Sequence, residues 1–356
     1  MKKAVFSLLA VAALAIATSA NATVRTVSND PNSPGQYTDI QVAINAASAG
    51  DTILVSGSTT PYTPADGSYI TIAKKLILLG TGYNPYKDFS RIVSTLGQTI
   101  DLQTGCDGTV IQGFVINALI NYWSIPLTNI TIKRNQLNQY INITGNGWLV
   151  SENWIANGAT ISINGSNMII QNNLFSYSAN VSNQPANTNT LFVNNTLVGV
   201  GGANFYINLN NALIANNIFY HNNGDPNAAY SLGSGNSVAN NVVYGNTNAN
   251  PFNMGAGLPN QGSGNKLGVD PKFTSLVFDE SGYPSVNSNF LLQSSSTVKT
   301  GGTDGKEMGI YGGSTPAQNP LRGTPAIPQV SSMLLNNVTV APGGTLSVTL
   351  KARAGN

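Results

Sequence analysis

The 356-residue chain carries few side chains capable of acid–base or metal chemistry: 14 Asp and Glu, 16 Lys and Arg, and one histidine. Lys133 and Arg134 form a basic pair that could neutralise a uronic-acid carboxylate during an elimination, a reaction that also needs a base for the α-proton. Asp101 and Asp107 flank Gly105. They could supply a catalytic carboxyl or begin a Ca2+ site, which takes several oxygen ligands with carboxylates among them. A glycosidase of the usual kind needs two carboxyl groups about 5–9.5 Å apart. An atypical lyase or hydrolase site would therefore centre on Asp101, Asp107 or Lys133. His221 shares the loop "HNNGDP" with Asp225, a His–Asp pair with no nucleophile beside it. Asp279 and Glu280 are adjacent in a loop, where neighbouring side chains diverge into solvent. No metal-ligand cluster is read from the sequence.

These residues sit in a recurrent frame. The segments "NITIKRNQL", "GWLVSENWI", "NMIIQNNLF", "TLFVNNTLV", "ALIANNIFY" and "NSVANNVVY" repeat around Asn135, Asn153, Asn173, Asn195, Asn217 and Asn241, at spacings of 18, 20, 22, 22 and 24 residues. Three positions before each Asn stand Ile132, Val150, Ile170, Phe192, Ile214 and Val238. Two positions after stand Leu137, Ile155, Phe175, Leu197, Phe219 and Val243. A second alternating segment precedes each block, as in "YINIT", "TISIN" and "NFYINLN". A two-residue side-chain period inside a coil of about 22 residues is what a solenoid of parallel strands requires. The asparagines then stack as a ladder, because one amide carries both a donor and an acceptor and does not repel its neighbour. Leucine-rich repeats need a different Leu pattern, and propeller blades need units of ~40 residues. In this frame Arg134 and Glu152 fall one before the Asn in successive coils, which predicts an ion pair rather than a catalytic group. "TIDLQTGCDGTVIQGFVI" reads as an early, degenerate unit with Gly113 at the asparagine position.

Around the repeats, the chain divides into four parts. Residues 1–22 have the form of a secretory signal: Lys2 and Lys3, an apolar run to about Ala17, and the end Ala20-Asn21-Ala22. Cleavage near Ala22 would send the protein to the cell surface, the periplasm or the medium. Residues 23–90 hold an N-terminal cap and the first coils, including a short amphipathic helix with Ile40, Ala43, Ile44 and Ala47 on one face and Thr38 and Gln41 as its capping box. Residues 91–328 are the solenoid with an irregular closing segment from about Asp270. Residues 329–356 read as a β-hairpin around Pro342-Gly343-Gly344, which caps the last coil or serves as a sorting or docking element. Removing Lys2 and Lys3 leaves 14 basic against 14 acidic residues. That balance argues against nucleic acid and against an anionic membrane surface. No later stretch approaches 18 uninterrupted apolar residues, so membrane insertion is not expected. Cys106, the only cysteine, reads as a buried structural thiol. Oligomeric state has no signature.

The N-terminal "DIQVAINAASAGDTILVSG…ITIAKKLILLGTGY" resembles the capped start of the right-handed parallel β-helix (pectate-lyase-like) superfamily, and the I-x-x-N-x-[LIF] units look like its repeats. The end, "DPKF…FLLQSSS…GTDGKEMGIYGG…PAIPQV", is similar to the closing segment of secreted β-helix proteins of Bacteroidetes-type bacteria. The resemblance implies an all-β, single-stranded right-handed parallel β-helix. It also implies that any active site lies on the outward residues of the first strand of each coil. By alternation these are Asp101, Gln103, Ser124, Tyr140, Asn142, Thr144, Thr160, Ser162, Asn164, Tyr206, Asn208 and Ser231. Only Asp101 among them ionises near neutrality. The row supports a non-catalytic scaffold that binds a polysaccharide or cell-surface glycan through Tyr140, Asn142, Ser162, Asn164, Tyr206 and Asn208, with Trp154 as a further stacking residue and no cofactor beyond a Ca2+ ion. The alternative is a lyase or hydrolase with an atypical site. Ice binding would need a regular Thr array, which this mixed row lacks.

Overall fold

The computed structural model describes residues 22–83, 92–122, 124–156, 158–177, 179–184, 186–200, 205–222, 230, 232–280, 284, 285, 287–314, 329–335, 340 and 343–353. The signal-peptide reading of residues 1–22 falls, but for Ala22, outside them. Ten parallel strands from Val24–Val27 to Ser237–Ala239 stack in chain order into sheet A, and fifteen more form sheet B. The chain thus makes about nine turns of a parallel β-solenoid, consistent with the right-handed β-helix expected from sequence. No helix of the described residues is long and apolar enough to cross a membrane.

Each coil is a triangle. One side is a strand of sheet A, such as Leu149–Ser151. The other two sides are the limbs of sheet B, which bends at a corner. The long strand Gln136–Asn146 shows this directly, since its start pairs with Trp154–Ile155 and its remainder with Thr160–Ser166. We term the limb just after each asparagine proximal and the next one distal.

The two apolar rows flanking the asparagines fill the interior. Ile132, Val150, Ile170, Phe192, Ile214 and Val238 are all buried, as are Leu137, Ile155, Phe175, Leu197, Phe219 and Val243. Each meets its counterpart one coil away at about 4.8 Å, so like packs on like along the axis. Between the rows runs the ladder. Asn173 Nδ2 donates to Asn195 Oδ1 at 3.0 Å and to Val150 O at 2.9 Å, and Asn173 Oδ1 accepts from Asn153 N and Nδ2, both at 3.0 Å. The same bonds join Asn135 to Asn153, Asn195 to Asn217 and Asn217 to Asn241. Asn265 extends the column by one more rung, at 3.0 Å from Asn241.

The residue before each rung is left-handed. Arg134, Glu152, Asn172, Asn194, Asn216 and Asn240 have φ between 50° and 58°, a region that Asn tolerates better than most L-residues. This corrects the place of Gly113. With Ile132 paired to Ile111 and Lys133 to Gln112, Gly113 (φ 84°) aligns with Arg134, and Phe114 takes the asparagine position. The Phe114 N–H still donates to Asn135 Oδ1 at 3.0 Å.

The helix Ile40–Ala46 covers the N-terminal end with Ile40, Ala43 and Ile44 buried. Its cap is Asp39 rather than Thr38. Asp39 Oδ1 accepts from the Gln41 and Val42 N–H groups, and Gln41 instead pairs its side chain with both backbone groups of Thr71. The C-terminal hairpin is present, but its first strand is Gln329–Leu335, upstream of the expected one, and pairs antiparallel with Val348–Arg353. Pro342 has no N–H for a ladder, whereas "QVSSMLL" offers an unbroken run.

The closing segment is more than an irregular end. From Phe273 to Tyr311 it runs back along the proximal limb, where Leu174, Val198, Ile218 and Val242 face outward. They form a second core with Phe273, Phe290, Leu292, Val298, Met308 and Ile310. The left-handed column clips this strap in place. Asn172 Nδ2 donates to Ile310 O and Gly312 O, both at 3.0 Å, Asn216 Oδ1 accepts from Thr303 N at 2.9 Å, and Asn240 Nδ2 donates to Gly301 O at 3.1 Å.

Candidate binding face

The strap covers the proximal limb, so the sequence-predicted row can only work on the distal limb. The register there is continuous. Tyr140, Thr160, Asn180 and Tyr206 form one outward column, and Asn142, Ser162, Ser182 and Asn208 form the next. The second column continues towards the N-terminus through Ile120, Asp101 and Thr71. The intervening Ile141, Ile161, Val181 and Ile207 are buried in the core. Strand alternation thus puts these two polar columns on one surface.

Asn180 and Ser182 belong to this surface and were missed in the sequence. Their strand, Ala179–Asn183, contains only two apolar residues, so "ANVSN" reads as a turn unless the coils on either side are stacked against it. Together Asn180, Ser182, Tyr206 and Asn208 line a shallow, open groove of about 590 Å³. Tyr140 and Tyr206 are 36% and 47% exposed.

The ladder and clip asparagines have their amides occupied. Those of the distal face do not: the side chains of Asn142, Ser162, Asn164, Asn180, Ser182 and Asn208 make no hydrogen bond to another protein group among the described residues. Asn164 is half-buried beside this surface. Other members of the predicted row leave it. Thr144 is buried, beside the point where Leu127–Thr128 pairs with its strand, and its N–H donates to Asn121 Oδ1 at 2.7 Å. Ser124 lies in an exposed turn, next to Ile125 N donating to Tyr122 O. Ser231 lies outside the described residues. Trp154 is on the proximal limb, where its indole N–H donates to Ser176 Oγ at 2.8 Å and its ring meets Tyr83. Trp148 is core, with its N–H on Leu127 O at 3.0 Å.

The three ionisable candidates are held apart on different elements. Asp101 is recessed on the distal face, with Oδ2 accepting from Gln103 Nε2 at 2.6 Å. Asp107 sits in a turn, where Oδ1 accepts from Thr128 N at 2.6 Å and Thr128 Oγ1 at 2.8 Å. Lys133 is on sheet A. It reaches Glu152 Oε1 at 2.9 Å while Arg134 Nε reaches Oε2 at 2.7 Å, so the ion pair read from the repeat is a three-membered cluster. Among the described residues no three His, Cys, Asp or Glu side chains converge as a metal site would require. His221 is buried against Tyr230, with Nε2 at 2.8 Å from the phenol oxygen; Asp225 lies outside the described residues. Burial, with Asp107 as the lesser cause, pushes the Cys106 thiol up to about 12, which fits an inert structural role.

Set against known protein families and against curated proteins, the chain matches none.

Proposed function

We propose that this is a secreted scaffold that binds a neutral polysaccharide or cell-surface glycan on its distal face without transforming it. One observation carries the reading: two in-register columns of Asn, Ser and Thr whose amides and hydroxyls are unengaged, set between Tyr140 and Tyr206. An unengaged amide offers a donor and an acceptor to a sugar hydroxyl, and a tyrosine ring covers the apolar face of a pyranose. Three coil steps separate the two tyrosines, about 14 Å. They would therefore contact different sugars of one chain laid along the solenoid axis.

The test is affinity electrophoresis of the full mature chain through gels holding neutral or uronic-acid polysaccharides. A neutral polymer should retard the protein. Tyr206→Ala should weaken that retardation about tenfold, the loss of roughly 1.4 kcal/mol from one stacking contact. Release of unsaturated products or new reducing ends, abolished by Asp101→Ala or Lys133→Ala, would instead make the protein a lyase or hydrolase.

A further inference from the structure

One aromatic residue of the solenoid carries backbone strain. Among the described residues, the left-handed non-glycine positions are asparagines except for Arg134, Glu152, Tyr177 and Lys272. Asn enters this region at little cost because its short amide can bond locally, whereas a bulky side chain there is strained. Arg134 and Glu152 are held by their ion pair, and the Lys272 N–H donates to Asp270 Oδ1 at 2.8 Å. The left-handed well is centred at about +57°. Tyr177 stands furthest from it among these residues, with φ 83°. Strain of this kind persists only where the surrounding structure over-determines it, and it gathers at ligand-binding sites.

The place of Tyr177 in the coil gives the strain a use. Tyr177 ends the proximal strand Leu174–Tyr177, and the distal strand Ala179–Asn183 starts two residues later. It therefore stands at the corner that bounds the distal face. Asn180, in the lining of the distal groove, comes three residues on, at most about 10 Å away between Cα atoms. Tyr177 is 38% exposed. In the next coil the register sets Gly199 beside it, which adds no side chain there, and Tyr206 and Asn208 follow in that coil's distal strand. The groove lined by Asn180, Ser182, Tyr206 and Asn208 is shallow and open, so its floor holds a sugar chain from one side only. A ring at the corner supplies a second side. An asparagine would suit the backbone of this corner better, as it does at the turns of the other coils; a tyrosine needs a reason of its own.

We infer, on the glycan-binding reading above, that Tyr177 is a third stacking residue of the same site. Its ring walls the corner of the distal groove and covers the apolar face of a pyranose lying beside Asn180 and Ser182. The strained backbone is retained for that contact.

The test is Tyr177→Asn in the full mature chain, a change that removes the ring and suits the left-handed backbone. The variant should melt at the wild-type temperature or a few degrees above it. Its retardation in gels holding a mixed-linkage β-glucan or a galactomannan should nevertheless weaken about fivefold. Tyr177→Phe, which keeps both the ring and the strain, should recover most of the retardation. A lower melting temperature for Tyr177→Asn would overturn the inference, because the ring would then be packing support. A Tyr177→Phe protein as weakly retarded as Tyr177→Asn would overturn it as well. So would unchanged retardation of Tyr177→Asn in gels where Tyr206→Ala runs free, a result that leaves the glycan-binding reading standing. Wild-type protein retarded by neither polymer would overturn both together.

Discussion

At Asn173 one side chain closes four hydrogen bonds across three coils. Replacing it with alanine leaves the Asn153 N–H buried and without its acceptor, at about 1–3 kcal/mol for an orphaned group, and removes the three other bonds. Asn173→Ala should therefore lower the unfolding free energy by about 3 kcal/mol, measured by urea denaturation. The same substitution at Asn142, whose side chain makes no hydrogen bond to another protein group among the described residues, should be near neutral. This contrast was only half legible in the sequence. Asn135 and its successors were read as a ladder from their spacing alone, because a fixed residue between two apolar rows has few other roles. Asn142, Asn180 and Asn208 are chemically identical to them. Only position on the outer side of a distal strand leaves their amides open. Lys133 teaches the same lesson for charge: it joins Arg134 on Glu152 because coil stacking brings residues 18 or 19 apart into contact.

Among the elements, the N-terminal cap and the strap show how single carboxyls govern docking. Asp51 is held below its ordinary 3.8 chiefly by the Ser48 and Thr23 N–H groups, with Arg25 at 3.0 Å adding to the effect. A depressed folded value means that its contribution is full above the ordinary carboxylate range and is lost as pH falls through the lower folded value. Thermal unfolding between neutral pH and pH ~3 should show this acid loss, and Asp51→Asn should flatten it. Glu307 on the strap behaves oppositely. Burial raises its carboxyl above 4.5 despite Lys299 at 3.5 Å. Its docking is therefore favoured at acid pH and weakens as pH rises through the raised folded value. Glu307→Gln should slow proteolysis of the strap at neutral pH and change little below the ordinary carboxylate range. The strap itself was not legible in the sequence. Its apolar residues, Phe273, Phe290, Val298 and Ile310, lie far apart in irregular chain, and their partners Leu174, Ile218 and Val242 look like ordinary strand positions.

At the scale of the whole molecule, each side of the triangular coil has a separate outer surface. The proximal limb is covered by the strap at Leu174, Val198, Ile218 and Val242, sheet A presents an apolar groove, and the distal limb presents polar columns with Asp101 recessed in one of them. The sequence by itself determined the repeat, the inward rows and the ladder. Those follow from local alternation and from a period that stacking then copies at every turn. The tertiary structure decided which outward residues meet solvent. That depends on what another segment covers, as Leu127–Thr128 pairs beside Thr144 and as the strap covers Leu174 and Ile218. Neither has a periodic signal, because both arise from contacts between residues tens to more than a hundred positions apart.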